Sequence, residues 1–300
     1  MKKFLRIIIN AHKRLFTLFN ITYTQVESAL TMKKILILFF LLIAYSCNNE
    51  NDQEKNETND LGDFNAYIDA KNLRLFAKEG VNDLFLENVG KAYEAMFEDN
   101  ILIDESMRSH YLSISKSKYV YQRVGLFAED NPNFDPGTPP SPFDDNATDY
   151  IWEIKEKGEE QIGEVIEHLL HTVTNVIYYL AYSNEWNYDD TSSLLNKAMQ
   201  ESIDKGIYDI SSYDEIKNDK EIYNKILTQE YAYWLILAEW NYFIIAGKKM
   251  EGISGNEEFT IGTSLEIASQ LPLGHKLYKE YIEKILSIPD PGTIKLLFPN

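Results

Sequence analysis

The sequence predicts an α+β domain, mainly helical, on three observations. Apolar residues recur at helical spacing through Ile162, Val165, Ile166, Leu169, Val173, Val176, Ile177 and Leu180, one broad stripe along a long helix. Lys220–Gly247 is the greasiest later stretch, and its Tyr231–Ala246 portion is apolar nearly all round, as in a helix buried within a core. Shorter runs at Leu73–Ala77, His110–Ser115 and Tyr119–Phe127 have the composition or alternation of strands. At 300 residues and 44% apolar content, one sizeable core is within reach.

In chain order, the first organised feature is Met32-Lys33-Lys34, an apolar run of about a dozen residues, then Ser46 and Cys47. This is the charged and then apolar pattern of a secretory signal, too short to span a membrane comfortably. Ile43–Cys47 (IAYSC) resembles the lipobox of bacterial lipoproteins, with Ser46 before the cysteine and Ala44 at minus three. Tyr45 stands at minus two, where a smaller residue is commoner. The resemblance implies a lipid on Cys47 and a place in the cell envelope: outer membrane, periplasmic or surface-exposed. Residues 1–31 read as an upstream extension from a start placed too early, 32–46 as the signal peptide, 47–60 as a tether and 61–300 as one globular domain. The alternative for the extension is a basic cytosolic helix around Phe4–Phe19.

Asn48–Asp60 is polar, charged and free of aromatics, so it cannot offset its own ordering entropy. Its acidic character looks like the surface-export signals of some Bacteroidota lipoproteins. The full chain carries a net charge of −18, which leaves no basic stripe for nucleic acid. Cys47 is the only cysteine, so no intrachain disulfide forms.

Asn82 or Asp83 is expected to cap a helix running to Phe97. His110–Ser115 and Tyr119–Phe127 are expected as strands, separated at Lys116–Lys118. Five prolines make residues 129–150 irregular. Asp130, Asp135, Asp144, Asp145 and Asp149 in that loop offer oxygen ligands for Ca²⁺, without EF-hand spacing. A helix is expected over about Glu156–Tyr182, another from a Ser192 or Ser193 cap to Gly206, and a last one over Leu273–Leu286, followed by a Pro-rich tail.

Chemistry concentrates on the long helix. Glu164, His171, Asn175, Tyr178 and Tyr182 fall opposite its apolar stripe, flanked by Glu167 and His168, and this face reads as the wall of a cleft. His168 and His171 are three apart, so both rings can approach one point. Neutral imidazole and carboxylate are ordinary Zn²⁺ ligands. The plainer alternative leaves His168 on the surface and His171 hydrogen-bonded beneath a loop. Glu230, within TQEYAYWLILAEW, adds an acid in apolar surroundings, costly unless paired, protonated or metal-bound.

The order of elements resembles the zincin metallopeptidases: a backing helix (Asp83–Phe97), strands (His110–Phe127), a His-bearing helix and a later helix with a buried glutamate. Glu167–His171 spells E-H-x-x-H, with the glutamate before the first histidine. The resemblance implies His168, His171 and Glu230 as ligands of Zn²⁺, Glu167 or Glu164 as the catalytic base, and Tyr178 or Tyr233 near the oxyanion. Its rival is a non-catalytic surface domain that binds a peptide, glycan or nutrient through an aromatic cleft.

Overall fold

A computed structural model describes residues 61–127, 135–143, 146–154, 157–248, 255 and 257–300. Cys47, the signal and the tether lie outside the described residues, as do Asp130, Asp144 and Asp145 of the loop. The fold is α+β, about half helical, around a four-stranded mixed sheet of order β1-β2-β3-β4.

Strands β1 (Ala66–Ala70) and β2 (Leu73–Ala77) form an antiparallel hairpin joined by Lys71 and Asn72, both left-handed, with φ 44° and 67°. Two successive positive φ values match the twist of a two-residue hairpin, and asparagine tolerates this conformation. From β2 the chain passes through α1 (Asp83–Ala95) and α2 (Glu105–Ser117) into β3 (Tyr121–Leu126), which pairs parallel with β2. Asn82 caps α1 through its side chain, as expected.

His110–Ser115 is not a strand; it lies inside α2. Asp104 accepts hydrogen bonds from the Ser106 and Met107 amides, starting the helix that short-range alternation concealed. The expected second strand covers only Tyr121–Leu126, and β1 and β4 (Tyr150–Glu153) complete the sheet. Strand β4 pairs parallel with β3, so the Pro-rich segment is the crossover between them. Its Phe143 packs with Phe64, Phe76 and Tyr121 on the sheet face opposite the main core.

Helix α3 (Glu159–His171) continues through a π-helical stretch, Thr172–Tyr178, to Ala181. From Leu169 to Tyr178 every residue is buried, including the polar His171, Thr172, Thr174 and Asn175. The expected cleft wall is therefore interior over this length. Helix α4 (Leu194–Asp204) starts at the Ser193 cap and ends before Gly206, which has φ 65°. Helix α5 (Lys220–Trp240) is buried almost all round from Tyr231, and stops where Asn241 turns left-handed. Tyr242, Phe243 and Ala246 stay in the core without helical geometry.

Helices α6 (Ser264–Gln270) and α7 (Pro272–Leu277), the latter extended by a π turn to Ile285, cover α5. The tail forms α8 (Pro291–Leu297), where Phe298 meets Phe85 of α1. Residues Asp60–Asn300 make one compact unit, and no helix among the described residues is long and apolar enough to cross a membrane.

Candidate metal centre

His171 sits where α3, α5 and the residue before β4 meet. Its ring is 1% exposed. Nδ1 lies 3.0 Å from Asp149 Oδ2, and Gln229 Nε2 approaches the same oxygen at 3.3 Å. Asn175 Nδ2 donates to Gln229 Oε1 at 2.7 Å, so the amide nitrogen of Gln229 is turned toward both His171 Nδ1, at 3.0 Å, and Asp149 Oδ2. A carboxylate only accepts, so in the contact with Asp149 it is His171 Nδ1 that donates, and Nε2 points the other way. On that side Glu230 Oε1 lies 3.5 Å from Nε2, which makes no hydrogen bond.

Asp149 is placed by the strand it precedes. Gln122 of β3 donates to the Asp149 carbonyl at 3.0 Å, Thr172 Oγ1 donates to Gln122 Oε1, and Thr148 Oγ1 lies 3.1 Å from Thr172 Oγ1. Thr172 opens the π-helical stretch, a wide turn that recurs at functional sites in other proteins.

His168 faces differently. Its Nδ1 donates to the Glu164 carbonyl at 2.8 Å, and Nε2 is 3.7 Å from Asp149 Oδ2. Glu164 serves the sheet: its Oε1 accepts the Trp152 amide at 2.9 Å, while Gln161 accepts from Ile154 N and donates to Trp152 O. Together these side chains satisfy the outer edge of β4. Burial raises the pKa of Glu164, and His168 and the Trp152 amide offset only part of that rise.

Glu167 Oε2 lies 2.6 Å from Lys248 Nζ, whose ammonium sits 5.4 and 5.5 Å from the ring centres of Tyr233 and Trp234. The backbones come close enough for this contact because residue 163 is glycine. A Cβ there would stand 2.4 Å from the Ala246 carbonyl oxygen.

Two groups of possible metal ligands share His171: Asp149–His168–His171 on the Nδ1 side and Glu167–His171–Glu230 on the Nε2 side. Among the described residues, His168 and Glu230 fall in different groups rather than converging on one point. Burial lowers the pKa of His171, but Glu230 and Asp149 outweigh it and hold the imidazole well above its ordinary value. Burial likewise works against the Asp149 and Glu167 carboxylates. His171 and His168 prevail at Asp149, and Lys248 with His171 at Glu167, so both stay below the ordinary range.

Glu167, Glu230, Trp234 and Lys248 line a cleft of about 900 Å³ that also takes in Tyr213 and Glu258. Tyr233 is fully buried, with its ring 5.8 Å from that of His171. Tyr178 packs instead with Tyr111, Tyr182 and Trp186. The acid buried most deeply on α5 is Glu239, bound by His275 and Ser264; Glu230 is 16% exposed and faces the cleft. Of the two loop aspartates described, Asp135 accepts the Gly137 amide, and Asp149 has joined the histidines.

The residues that sequence reasoning passed over at this centre are Gln229 and Lys248. Asp149 was noticed only as a loop oxygen. Its position one residue before a strand, beneath the histidine helix, was the available signal. No family model, no curated protein and no solved structure matches the chain.

Proposed function

We propose that this chain is an envelope lipoprotein, anchored through Cys47, whose cleft holds a divalent metal at Glu167, His171 Nε2 and Glu230 and supports hydrolysis of a peptide-type amide. The observation that carries the reading is His171 Nε2, buried without a hydrogen bond and 3.5 Å from Glu230 Oε1. Two donors of one tetrahedral zinc ion lie about 3.3 Å apart, which suits this pair. Asp149 behind Nδ1 supplies the carboxylate–histidine support that fixes the tautomer of metal-binding imidazoles.

When bound, Zn²⁺ supplies Lewis acidity and lowers the pKa of its water. Asp149, accepting from Nδ1, would keep the lone pair of His171 Nε2 directed at the centre. Glu230 and Glu167 provide charge balance. As a ligand Glu167 would give up its pairing with Lys248, whose ammonium lies over Tyr233 and Trp234 and would be available to stabilise negative charge on a carbonyl oxygen. Glu164, committed to the edge of β4, suits the base role less well than a structural one.

The reading keeps a zincin-like order of backing helix, strand pair β3–β4, His-bearing helix and glutamate helix, although the hairpin β1–β2 comes before the backing helix and α2 stands where a strand was expected. It departs in using one histidine and two carboxylates, with His168 on the Asp149 side of His171. A second reading, a non-catalytic domain that binds a peptide, glycan or nutrient, is favoured by the Lys248–Glu167 pair, which satisfies the cleft without any metal.

Metal analysis of the purified chain, with melting in the presence and absence of chelator, tests the assignment. One equivalent of metal and a lower Tm in chelator are expected, since binding to the folded state stabilises it. Near-zero metal and no chelator effect overturn it in favour of the second reading.

A further inference from the structure

The ring nitrogens of His168 and His171 that face Asp149 are set by their neighbours. His168 Nδ1 has two acceptors beside it, the Glu164 carbonyl at 2.8 Å and Glu164 Oε1 at 3.3 Å, so it carries a proton. In the neutral ring Nε2 then presents a lone pair, and Asp149 Oδ2 lies 3.7 Å from it. Two acceptors in this relation repel unless a proton or a metal ion joins them.

His171 Nδ1 meets opposite demands. Asp149 Oδ2, at 3.0 Å, requires it to donate, while the amide nitrogen of Gln229, also at 3.0 Å, requires it to accept. Gln229 is held in this orientation because Asn175 donates to its Oε1, and both side chains are buried. When Nδ1 accepts, the proton sits on Nε2, which has Glu230 Oε1 at 3.5 Å. In that tautomer His168 Nε2, His171 Nδ1 and the Asp149 carboxylate all offer lone pairs, within 4.8 Å of one another.

Two imidazoles and one carboxylate with open positions are a donor set for divalent transition ions. Each ring also has the outer support that ligating imidazoles use: the Glu164 carbonyl behind His168 and the Glu230 carboxylate behind His171. A separate observation concerns the other oxygen of the aspartate. Asp149 Oδ1 is buried and, among the described residues, accepts no hydrogen bond, a costly state that an ion at this carboxylate relieves.

We propose that His168 Nε2, His171 Nδ1 and Asp149 form a second metal position, for a divalent transition ion, on the opposite edge of His171 from Glu167 and Glu230. Asp149 is 36% exposed, so the position is open to solvent on that side. One neutral imidazole has one lone pair, so the two positions exclude each other and the chain holds one ion at a time. The inference requires neither the hydrolytic activity nor occupancy of the first position.

Zinc titration of the full-length chain in detergent tests it, with chelator competition and metal analysis. Three proteins are compared: wild type, the double variant Glu167→Gln, Glu230→Gln, and that double variant with His168→Ala added. X-ray absorption at the zinc edge counts the imidazoles on the ion, two at this position and one at the first. Wild type should hold one equivalent. The double variant should keep one equivalent with two imidazoles, and His168→Ala in that background should lower affinity by more than the roughly 100-fold typical of losing an outer partner. Mg²⁺, which prefers oxygen ligands, should not displace the zinc.

A folded double variant that loses its zinc overturns this inference and leaves the first position standing. One imidazole per zinc in that variant, or zinc retained after His168→Ala, overturns it as well. Two equivalents in wild type overturn the exclusion. If the double variant does not fold, the wild-type spectrum decides: two imidazoles falling to one in His168→Ala support the second position, and one in both overturns it. Wild type that binds no zinc overturns both positions.

Discussion

His171 Nδ1 lies 3.0 Å from Asp149 Oδ2, and that contact assigns opposite tasks to the two edges of one ring. The Nδ1 edge is tied to the start of β4, while the Nε2 edge is presented to Glu230. Asp149→Asn should therefore keep all three proposed ligands yet weaken metal binding by roughly 10- to 100-fold, the usual cost of losing such support. Chelator competition measures this. An unchanged affinity would show that Asp149 does not orient the ring.

The two histidines should separate sharply. His171→Ala removes a ligand and should abolish stoichiometric metal. His168→Ala removes a ring whose Nδ1 already serves the Glu164 carbonyl, and should retain most of it. Equal loss in the two variants, by metal analysis, would favour a centre that uses both.

In metal-free protein the His171–Asp149 pair sets a pH dependence of stability. Burial opposes charge on His171, but Glu230 and Asp149 hold its pKa well above ordinary, so the folded state binds the proton more tightly. That contribution is complete below about pH 6.5 and is lost as pH rises toward the folded pKa. At Asp149, burial is outweighed by His171 and His168, and the folded pKa is depressed. Its contribution is present above about pH 3.9 and is lost as pH falls toward the folded pKa. Tm in chelator should decline from pH 6.5 to pH 9 in wild type, and much less in His171→Gln. Parallel profiles would contradict the pairing.

Gly163→Ala places a Cβ 2.4 Å from the Ala246 carbonyl oxygen, so the segment leading to Lys248 must shift. A loss of about 1–3 kcal/mol is expected from overpacking at such a contact. The Glu167–Lys248 pair should loosen with it. Denaturant unfolding provides the check; a neutral result would mean that the segment yields freely.

For the anchor, labelled palmitate should enter the wild-type chain and be absent from Cys47→Ala. Wild type without label would remove the lipoprotein reading.

Much of the helical framework was legible because it is local. The Asn82 and Ser193 caps, the stripe from Ile162 to Leu180 and the apolar run beginning at Tyr231 each express a periodicity that a few neighbouring residues set. Helix α2 was misread because HYLSIS alternates over six residues, while the cap that decides its structure, Asp104, lies six positions upstream of His110. Strands β1 and β4 escaped notice because short strands acquire their stability from pairing partners, not from their own sequence.

The centre divides in the same way. Helical spacing alone brought Glu164, Glu167, His168 and His171 together, and the apolar setting marked Glu230. Which ring nitrogen faces which carboxylate was decided only in three dimensions, because Asp149 reaches His171 from 22 positions away and Lys248 reaches Glu167 from 81. Sequence fixes the distance between residues along a helix. It cannot fix the direction of a side chain whose hydrogen-bond partners arrive from other strands and helices.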